Sequence, residues 1–403
     1  MDPATLSDAI SSSSALSLVH QVAHSTAPLP TFASGLDALL DHANLPLRRG
    51  DIVELQGLPG SAKSSLLVHL AATALLPRTA HVRIADHVLT VPVGGKHAHV
   101  AYLDCTPRRL DLVDRLASLV RHHLDLAIRR FRAPRGIGAP RDRELDSLVD
   151  ECLARLTVWS PTGTVQLAAT LRSLPRWALV DGNAHDELAY VVVDGMSEFA
   201  WADQHAATSS SSAAASSSSA SAATRRPLRL VVDALAHLRA TLAPVVFVSQ
   251  WVFRPEATLA HRSQEGLPFY AGHYPSALWP SILSSPPPPP TSSASAAAAS
   301  APTNPLAPRP GALLPIALAL HLTLHPSPTP PLRRGTPLAL LLSEQRRRVR
   351  ARERAQSGAG ESSWGTALGG IGGTEGVRVV VRRPGGHEVG SFDVEVWERE
   401  VVT

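Results

Sequence analysis

Lysine and cysteine are both rare in this 403-residue chain, which has two of each. Cys105 and Cys152 are too few for a disulfide framework or a cysteine-rich zinc site, and they suggest a reducing compartment. No stretch of about 18 apolar residues occurs, which argues against a membrane-spanning helix. Residues 1–17 lack the basic start and the long apolar core of a secretory signal. We therefore expect a soluble intracellular protein with no membrane partner.

The two lysines are Lys63 and Lys96, so the remaining 36 basic residues are arginines. The formal net charge is only +4, which does not by itself indicate a nucleic-acid partner in a chain of this length. The densest arginine run, at 346–354, could contact a phosphate backbone or act as a nuclear import signal. A solvated arm is the simpler interpretation of that run.

Three segments of biased composition interrupt the chain, at about 206–224, 284–310 and 345–376. Alanine, serine, proline and glycine dominate in them, and none has a periodic apolar face. Such segments cannot offset the entropy lost on ordering. We expect them to be disordered insertions in an otherwise folded chain.

Short apolar runs alternate with stretches of helical spacing along the rest of the chain. The runs at 190–193 and 244–248 are apolar throughout and the run at 51–55 is largely apolar, as is typical of parallel strands buried on both faces. Near the C-terminus, 316–324, 377–381 and 391–397 alternate more like antiparallel strands, and the last two are predicted to pair across Pro384-Gly385-Gly386. The pattern predicts an α/β fold with a mainly parallel sheet, helices on both faces and C-terminal antiparallel strands.

The most informative stretch is a glycine-containing loop between a predicted strand and a predicted helix. It matches the phosphate-binding pattern G-x-x-x-x-G-K-[ST] with one departure, because Ala62 stands in place of the second glycine. In such loops the backbone N–H groups and the helix N-terminus stabilise phosphates. The residues expected to bind a nucleotide are Gly57, Leu58, Pro59, Gly60, Ser61, Ala62, Lys63, Ser64 and Ser65, called the phosphate loop below.

Within the phosphate loop, Lys63 is expected to reach the β- and γ-phosphates and the Ser64 hydroxyl to bind Mg²⁺. Ala62 is expected to weaken the site, since glycine adopts a positive φ freely and alanine is penalised there. An ordinary Gly/Pro turn is the alternative interpretation of the loop.

Polar residues follow three of the predicted buried strands. Asp194 ends the run 190–193 and is predicted to hold Mg²⁺ through water, although it could simply cap the strand. Asp104 and the pair Ser249-Gln250 end two further strands. The carboxyl ends of parallel strands are where ligands bind in open α/β sheets.

The order of these features resembles the RecA-like recombinases of eukaryotes, and most closely their XRCC-two paralogue branch. The resemblance covers about 31–253 and is carried by 31–40 (TFASGLDALL), 50–77, 99–124, 190–203 and 244–251. It implies a RecA-like P-loop NTPase domain over 31–403, after a segment 1–30, with ATP and Mg²⁺ as cofactors. It also implies catalytic roles for Lys63, Asp194 and Gln250, with Gln250 reading the γ-phosphate.

Two departures from the family pattern limit what the resemblance implies. Thr106 stands where hydrolysing recombinases carry a water-activating glutamate, and a hydroxyl is a poor general base at neutral pH. No N-terminal helical DNA-binding domain is recognisable in 1–30. The resemblance thus implies a nuclear subunit of a paralogue complex that assists double-strand break repair by homologous recombination. Its partners would be other RecA-like paralogues and single-stranded or branched DNA, and it would be a weak DNA-dependent ATPase at most.

Two other functions remain open at this point. Ala62 and Thr106 are also compatible with a non-catalytic scaffold subunit whose nucleotide site is vestigial and which binds a partner paralogue. A P-loop kinase acting on a small substrate is a remote third option, because neither a lid nor an acceptor site is visible in the sequence.

Overall fold

The computed structural model describes residues 30–31, 33–84, 87–106, 111–135, 142–180, 188–211, 217–252, 274, 279–280, 316–326, 376–384, 386–396 and 401–402. The expected insertion at 284–310 and the arginine run at 346–354 lie outside these residues. The insertion at about 345–376 also lies outside them, except for its last residue.

Helices and strands alternate along most of the described chain. The helices are α1 (Ser34–His42), α2 (Lys63–Leu75), α3 (Leu112–Arg132), α4 (Asp142–Leu153), α5 (Thr164–Val180), α6 (Ala200–Ser211) and α7 (Ser217–Thr241). The strands are β1 (Ile52–Gly57), β2 (Thr79–Ile84), β3 (His87–Pro92), β4 (His99–Asp104), β5 (Leu156–Trp159), β6 (Leu188–Asp194), β7 (Val245–Trp251), β8 (Leu320–Pro326), β9 (Gly376–Arg382), β10 (Glu388–Val396) and β11 (Val401–Val402). None of the described helices is both long and apolar enough to span a bilayer.

A nine-stranded sheet forms the centre of the fold, in the order β11-β10-β9-β8-β1-β7-β6-β4-β5. The strands from β8 to β5 are parallel to their neighbours, and those from β8 to β11 pair antiparallel. This confirms the predicted α/β class with its C-terminal antiparallel strands. The predicted pairing of β9 with β10 is confirmed as well, with a turn closed by hydrogen bonds from Arg383 N to His387 O and from Gly386 N to Arg383 O.

Strand β8 differs from its prediction. Its alternating pattern suggested an antiparallel strand, but it is parallel to β1 on one side and antiparallel to β9 on the other. The alternation arises because one face of β8 is apolar while the other carries buried polar residues. It does not report the direction of the strand.

Both faces of the sheet are covered. Leu55, Tyr102 and Phe247 belong to an apolar cluster on the face covered by α2 and α3. Leu103, Val193 and Val248 belong to a second cluster, on the face covered by α5 and α7. Strands β1, β4 and β6 are buried along their whole length, so any polar side chain in them needs a partner within the protein.

Some elements were not predicted from the sequence. Strands β2 and β3 form a separate antiparallel hairpin, and α4 covers 142–153. Helical backbone also enters both ends of the alanine- and serine-rich segment 206–224, through α6 and α7. Alanine is the strongest helix former, and adjoining helices can therefore continue into such a segment.

Candidate phosphate-binding site

The phosphate loop joins the end of β1 to the first turn of α2. A Cβ atom on Gly57 would lie 2.4 Å from Ser61 Oγ and 2.6 Å from the Leu324 carbonyl oxygen. No side chain fits at Gly57, because the loop folds back against the end of β1 and also meets β8. Gly60 has a φ of +77°, a conformation that glycine adopts readily.

Ala62 has a left-handed backbone, with φ 61° and ψ 15°, directly before α2. This confirms that the position of the missing glycine requires a positive φ. The left-handed conformation costs an L-residue roughly 1–2 kcal/mol relative to the right-handed one. The loop therefore keeps the shape that the motif requires, at a local cost in stability.

The Lys63 ammonium group is folded into the loop. Its Nζ donates to the carbonyl oxygens of Gly57 at 2.9 Å and Leu58 at 2.8 Å, and to Ser61 Oγ at 3.2 Å. The side chain is only 9% exposed. Burial lowers the pKa of Lys63 to about 8, and the nearby Asp194 opposes that shift. The loop thus positions one cation at the helix N-terminus.

Asp194, at the end of β6, lies at the centre of a group of hydroxyls. Its Oδ1 accepts hydrogen bonds from Ser64 Oγ at 3.0 Å and Ser249 Oγ at 2.6 Å, and its Oδ2 accepts one from the Tyr102 hydroxyl at 2.8 Å. Asp194 is 1% exposed. The structure therefore brings Ser64 and Asp194, the two residues predicted to hold Mg²⁺, into direct contact.

Tyr102 and Ser249 were not predicted to act on the site, although a signal for both exists. Successive side chains of a strand point to opposite faces. Tyr102 is two residues before Asp104 on β4 and pairs in register with Val192 on β6, so its side chain lies on the same face as Asp194. Ser249 is two residues after Phe247 on β7, and Phe247 also pairs in register with Val192. The Ser249 side chain therefore lies on the same face as Asp194. Its Oγ also accepts a hydrogen bond from Gly195 N at 2.7 Å.

Gln250 lies on the opposite face of the sheet from Asp194. Its side chain is fully buried, and its Nε2 donates to Glu54 Oε1 on β1 at 2.8 Å. Strand alternation separates it from Ser249 in this way. The contacts of the described residues do not bring Gln250 to Lys63 or Ser64, and its reading of the γ-phosphate stays a prediction.

Two further loop and strand-end residues have contacts of their own. Thr106 donates from its backbone N (3.0 Å) and its Oγ1 (2.6 Å) to Asp104 Oδ1, and Asp104 is in register with Asp194. The Ser65 hydroxyl accepts a hydrogen bond from Arg115 of α3 at 3.2 Å.

Burial raises the pKa of the nearby Cys105 thiol, which therefore stays protonated and is a poor nucleophile.

Paired oxygens from Ser64 and Asp194 suit Mg²⁺, which prefers oxygen ligands and keeps several waters. No group of three or more His, Cys, Asp or Glu side chains that could hold a metal ion occurs among the described residues. The described arrangement offers a backbone cradle, one cation and one oxygen pair, which together suit a phosphate ester bound with a hydrated divalent ion.

Comparison with known proteins supports the resemblance seen in the sequence. The chain is 28% identical over 155 residues to the DNA repair protein XRCC2 of Mus musculus, a match that covers 38% of this chain and 43% of that protein. The chain therefore spans less than half the length of this relative. No protein-family model matches the chain. The resemblance to the XRCC-two branch of RecA-like paralogues is confirmed over this partial stretch.

Replacing Ala62 by glycine tests the strain in the loop. Ala62→Gly removes roughly 1–2 kcal/mol of backbone strain from the folded state. It also gives the unfolded chain more conformational freedom, which lowers the stability by about 0.4–1 kcal/mol. We expect the free energy of unfolding, measured by denaturant titration, to be unchanged or slightly increased.

Ala169→Gly, at an exposed position in the interior of α5, is the control. It should cost about 1 kcal/mol, the usual penalty for glycine in a helix. Equal destabilisation by both substitutions would contradict the positive φ at Ala62.

Proposed function

We propose that this chain is a RecA-like recombinase paralogue that binds ATP and Mg²⁺ and acts in DNA double-strand break repair by homologous recombination. It would act in the nucleus as a subunit of a complex with other paralogues. It would contact DNA through that complex. The observation that carries the nucleotide part is the Lys63–Ser64–Asp194 group at the N-terminus of α2. The repair role is supported by the partial similarity to a DNA repair protein.

The residues present fit ATP and Mg²⁺. Backbone N–H groups at the start of α2 and the Lys63 ammonium would receive phosphate oxygens. Ser64 Oγ and the Asp194 carboxylate would hold the metal and its waters, and the metal would neutralise charge on the β- and γ-phosphates. Tyr102 and Ser249 fix the orientation of the Asp194 carboxylate through their hydroxyls.

Turnover is proposed to be weak or absent. Thr106 stands at the position of the family's glutamate, and its hydroxyl hydrogen is directed to Asp104 at 2.6 Å. General-base help contributes typically about 10²–10⁴-fold to a rate, so its loss would leave a slow ATPase. Bound nucleotide would then serve mainly to order the loop and the surface around it.

A scaffold subunit with a vestigial site is the second candidate. The observation that favours it is the set of contacts made by Lys63, whose three donors are satisfied by the loop itself. A phosphate must displace some of these bonds, which lowers the net gain from binding.

Lys63→Ala tests nucleotide binding, and the second lysine provides a matched control. We expect Mg-ATP to raise the melting temperature of the wild-type protein, and this shift should disappear in Lys63→Ala because the ammonium is lost. Lys96→Ala should keep the shift, since the Lys96 ammonium donates to the Tyr190 hydroxyl and lies over the Tyr190 ring. Equal shifts in wild type and Lys63→Ala would contradict the role of Lys63, and the absence of a shift in wild type would favour the scaffold.

The pH dependence of ATP affinity provides an independent test. Because the pKa of Lys63 is lowered to about 8 and a bound phosphate would raise it again, binding should take up protons above that pH. Affinity should be constant from about pH 7 to 7.5 and then fall, by up to about tenfold per pH unit above pH 8. Isothermal titration in two buffers of different ionisation enthalpy measures the ATP affinity and the number of protons taken up on binding. An affinity unchanged to pH 9 would exclude Lys63 as the phosphate ligand.

Complex membership is tested by affinity purification of the chain from its native cells. We expect other RecA-like paralogues among the co-purifying chains, identified by mass spectrometry. Purification of the Lys63→Ala protein in parallel shows whether assembly needs the nucleotide site. Recovery of the chain without any recombinase relative would count against the repair role.

A further inference from the structure

Three carboxylates are buried in the described part of the chain, those of Glu54, Asp104 and Asp194. Burying a carboxylate is costly unless hydrogen-bond donors surround it. The donors around each carboxylate therefore show whether the protein holds it in place or leaves it open to a ligand.

Glu54 and Asp194 have both of their oxygens occupied. Glu54 Oε1 accepts hydrogen bonds from Gln250 Nε2 and Trp279 Nε1, each at 2.8 Å, and its Oε2 is 3.0 Å from His321 Nδ1. The two oxygens of Asp194 are occupied by the hydroxyls described above. The protein therefore holds these two carboxylates at both oxygens.

Asp104, at the end of β4, differs because only one of its oxygens is occupied. Its Oδ1 accepts two hydrogen bonds from Thr106, one from the backbone N at 3.0 Å and one from Oγ1 at 2.6 Å. Its Oδ2 has no hydrogen-bond partner within the described part of the chain, and it is not among the buried atoms that lack one. Although Asp104 is only 4% exposed, this oxygen is thus open to water.

The register of the sheet places Asp104 next to the proposed metal site. Asp104 is in register with Asp194 on β6, and neighbouring strands lie only about 4.8 Å apart. Tyr102 is two residues before Asp104 on β4, so both side chains point to the same face, where the Tyr102 hydroxyl meets Asp194. Asp194 in turn contacts Ser64. The Asp104 carboxylate therefore lies beside the pair that would hold the metal and its waters.

We propose that Asp104 is a further catalytic residue of ATP hydrolysis, whose Oδ2 orients the attacking water and takes up a proton from it. This rests on the nucleotide binding proposed above. The oxygen of the water attacks the γ-phosphorus, and the bond between that phosphorus and ADP breaks with its electron pair remaining on ADP. One proton of the water passes to Asp104 Oδ2, directly or through one further water, and is released to solvent after the phosphate leaves.

Thr106 is the positioning residue for Asp104. Its N–H and its hydroxyl both hold Oδ1, so the oxygen that faces the water is Oδ2. An amide at position 104 would be held in the same way, with its carbonyl oxygen on Thr106 and its NH₂ group in the place of Oδ2. An NH₂ group can only donate, so it would meet the hydrogens of the attacking water with the wrong polarity.

The test compares the wild-type full chain with Asp104→Asn. Hydrolysis is followed as the release of labelled phosphate in a single turnover of Mg-ATP, with and without single-stranded DNA. Asp104→Asn should lower the rate by about 10²-fold, the lower end of what general-base help contributes. The Mg-ATP affinity, measured by isothermal titration, should stay within about threefold of wild type because Asp104 acts on the attacking water.

Binding of a transition-state analogue gives a readout that does not depend on turnover. The analogue is Mg-ADP with aluminium fluoride, which we expect wild type to bind more tightly than Mg-ADP alone. In Asp104→Asn the affinity for the analogue should fall by about tenfold, the effect of one lost charge-assisted hydrogen bond. The affinity for Mg-ADP should stay within about twofold of wild type, since no attacking water is held there.

Asp51→Asn is the matched control. Asp51 lies at the other end of β1 from the phosphate loop, and its Oδ2 accepts a hydrogen bond from Arg48 N at 2.7 Å. The chemical change is the same as in Asp104→Asn, but the rate of hydrolysis and the affinity for the analogue should both stay at their wild-type values.

If Asp104→Asn does not fold, Thr106→Val and Thr106→Ser decide the question. Valine has the shape of threonine without the hydroxyl, so Asp104 loses one of its two holding bonds, and the rate and the affinity for the analogue should each fall by about tenfold. Serine keeps the hydroxyl and should keep both quantities close to wild type. Equal rates in Thr106→Val and Thr106→Ser would overturn the proposal.

The outcomes separate this inference from the proposed function. A wild-type protein that binds no nucleotide would overturn both. A wild-type protein that binds Mg-ATP but does not hydrolyse it even with DNA, or a rate that is equal in wild type and Asp104→Asn, would overturn the catalytic role of Asp104 alone. A loss of Mg-ADP affinity in Asp104→Asn as large as the loss for the analogue, or an equal fall in rate in Asp51→Asn, would also overturn that role, because the effect would then not concern the attacking water.

Discussion

A sheet that is covered on both faces offers no water to the polar side chains of its strands, and the functional geometry of this protein follows from that constraint. Strand alternation sends Asp194 and Ser249 to the face of α2, and Glu54 and Gln250 to the other face. On the first face the carboxylate is surrounded by hydroxyls. On the second it is surrounded by nitrogen donors. Each carboxylate is thus held rigidly by the hydrogen-bond donors that offset the free-energy cost of burying it.

The two faces differ in what their hydrogen bonds permit. Hydroxyls can rotate and can either donate or accept, so Ser64 can release Asp194 and bind a metal ion without leaving a buried group unpaired. An indole N–H such as that of Trp279 can only donate. We infer that the face of α2 is suited to exchanging ligands, whereas the network around Glu54 is suited to holding one arrangement.

Much of the fold was predictable because its determinants are local. The apolar runs predicted β1, β6 and β7, and the glycine pattern predicted the phosphate loop, including the positive φ at Ala62. The partners of Asp194 were less predictable, since Tyr102 and Ser249 are ordinary residues until the strand register is known. Glu54 could not be found from sequence at all, because its donors come from residues 250, 279 and 321, which only the folded topology brings together.

The rarity of lysine has a more general meaning than the phosphate loop alone suggests. In a chain with 36 arginines, Lys63 is buried and Lys96 is half-buried, and the ammonium of each has specific partners. Lys63 fits between two carbonyl oxygens and a hydroxyl. Lys96 lies over the Tyr190 ring, 4.1 Å from its centre, and donates to the hydroxyl of that tyrosine.

The Tyr190 hydroxyl in turn donates to the Pro30 carbonyl oxygen, so Lys96 helps to attach the start of the described chain. A planar guanidinium would need more room in either place. Lysine at position 63 is therefore evidence for a tight cation site, and it is the position of that site at the helix N-terminus, beside Ser64 and Asp194, that points to a phosphate.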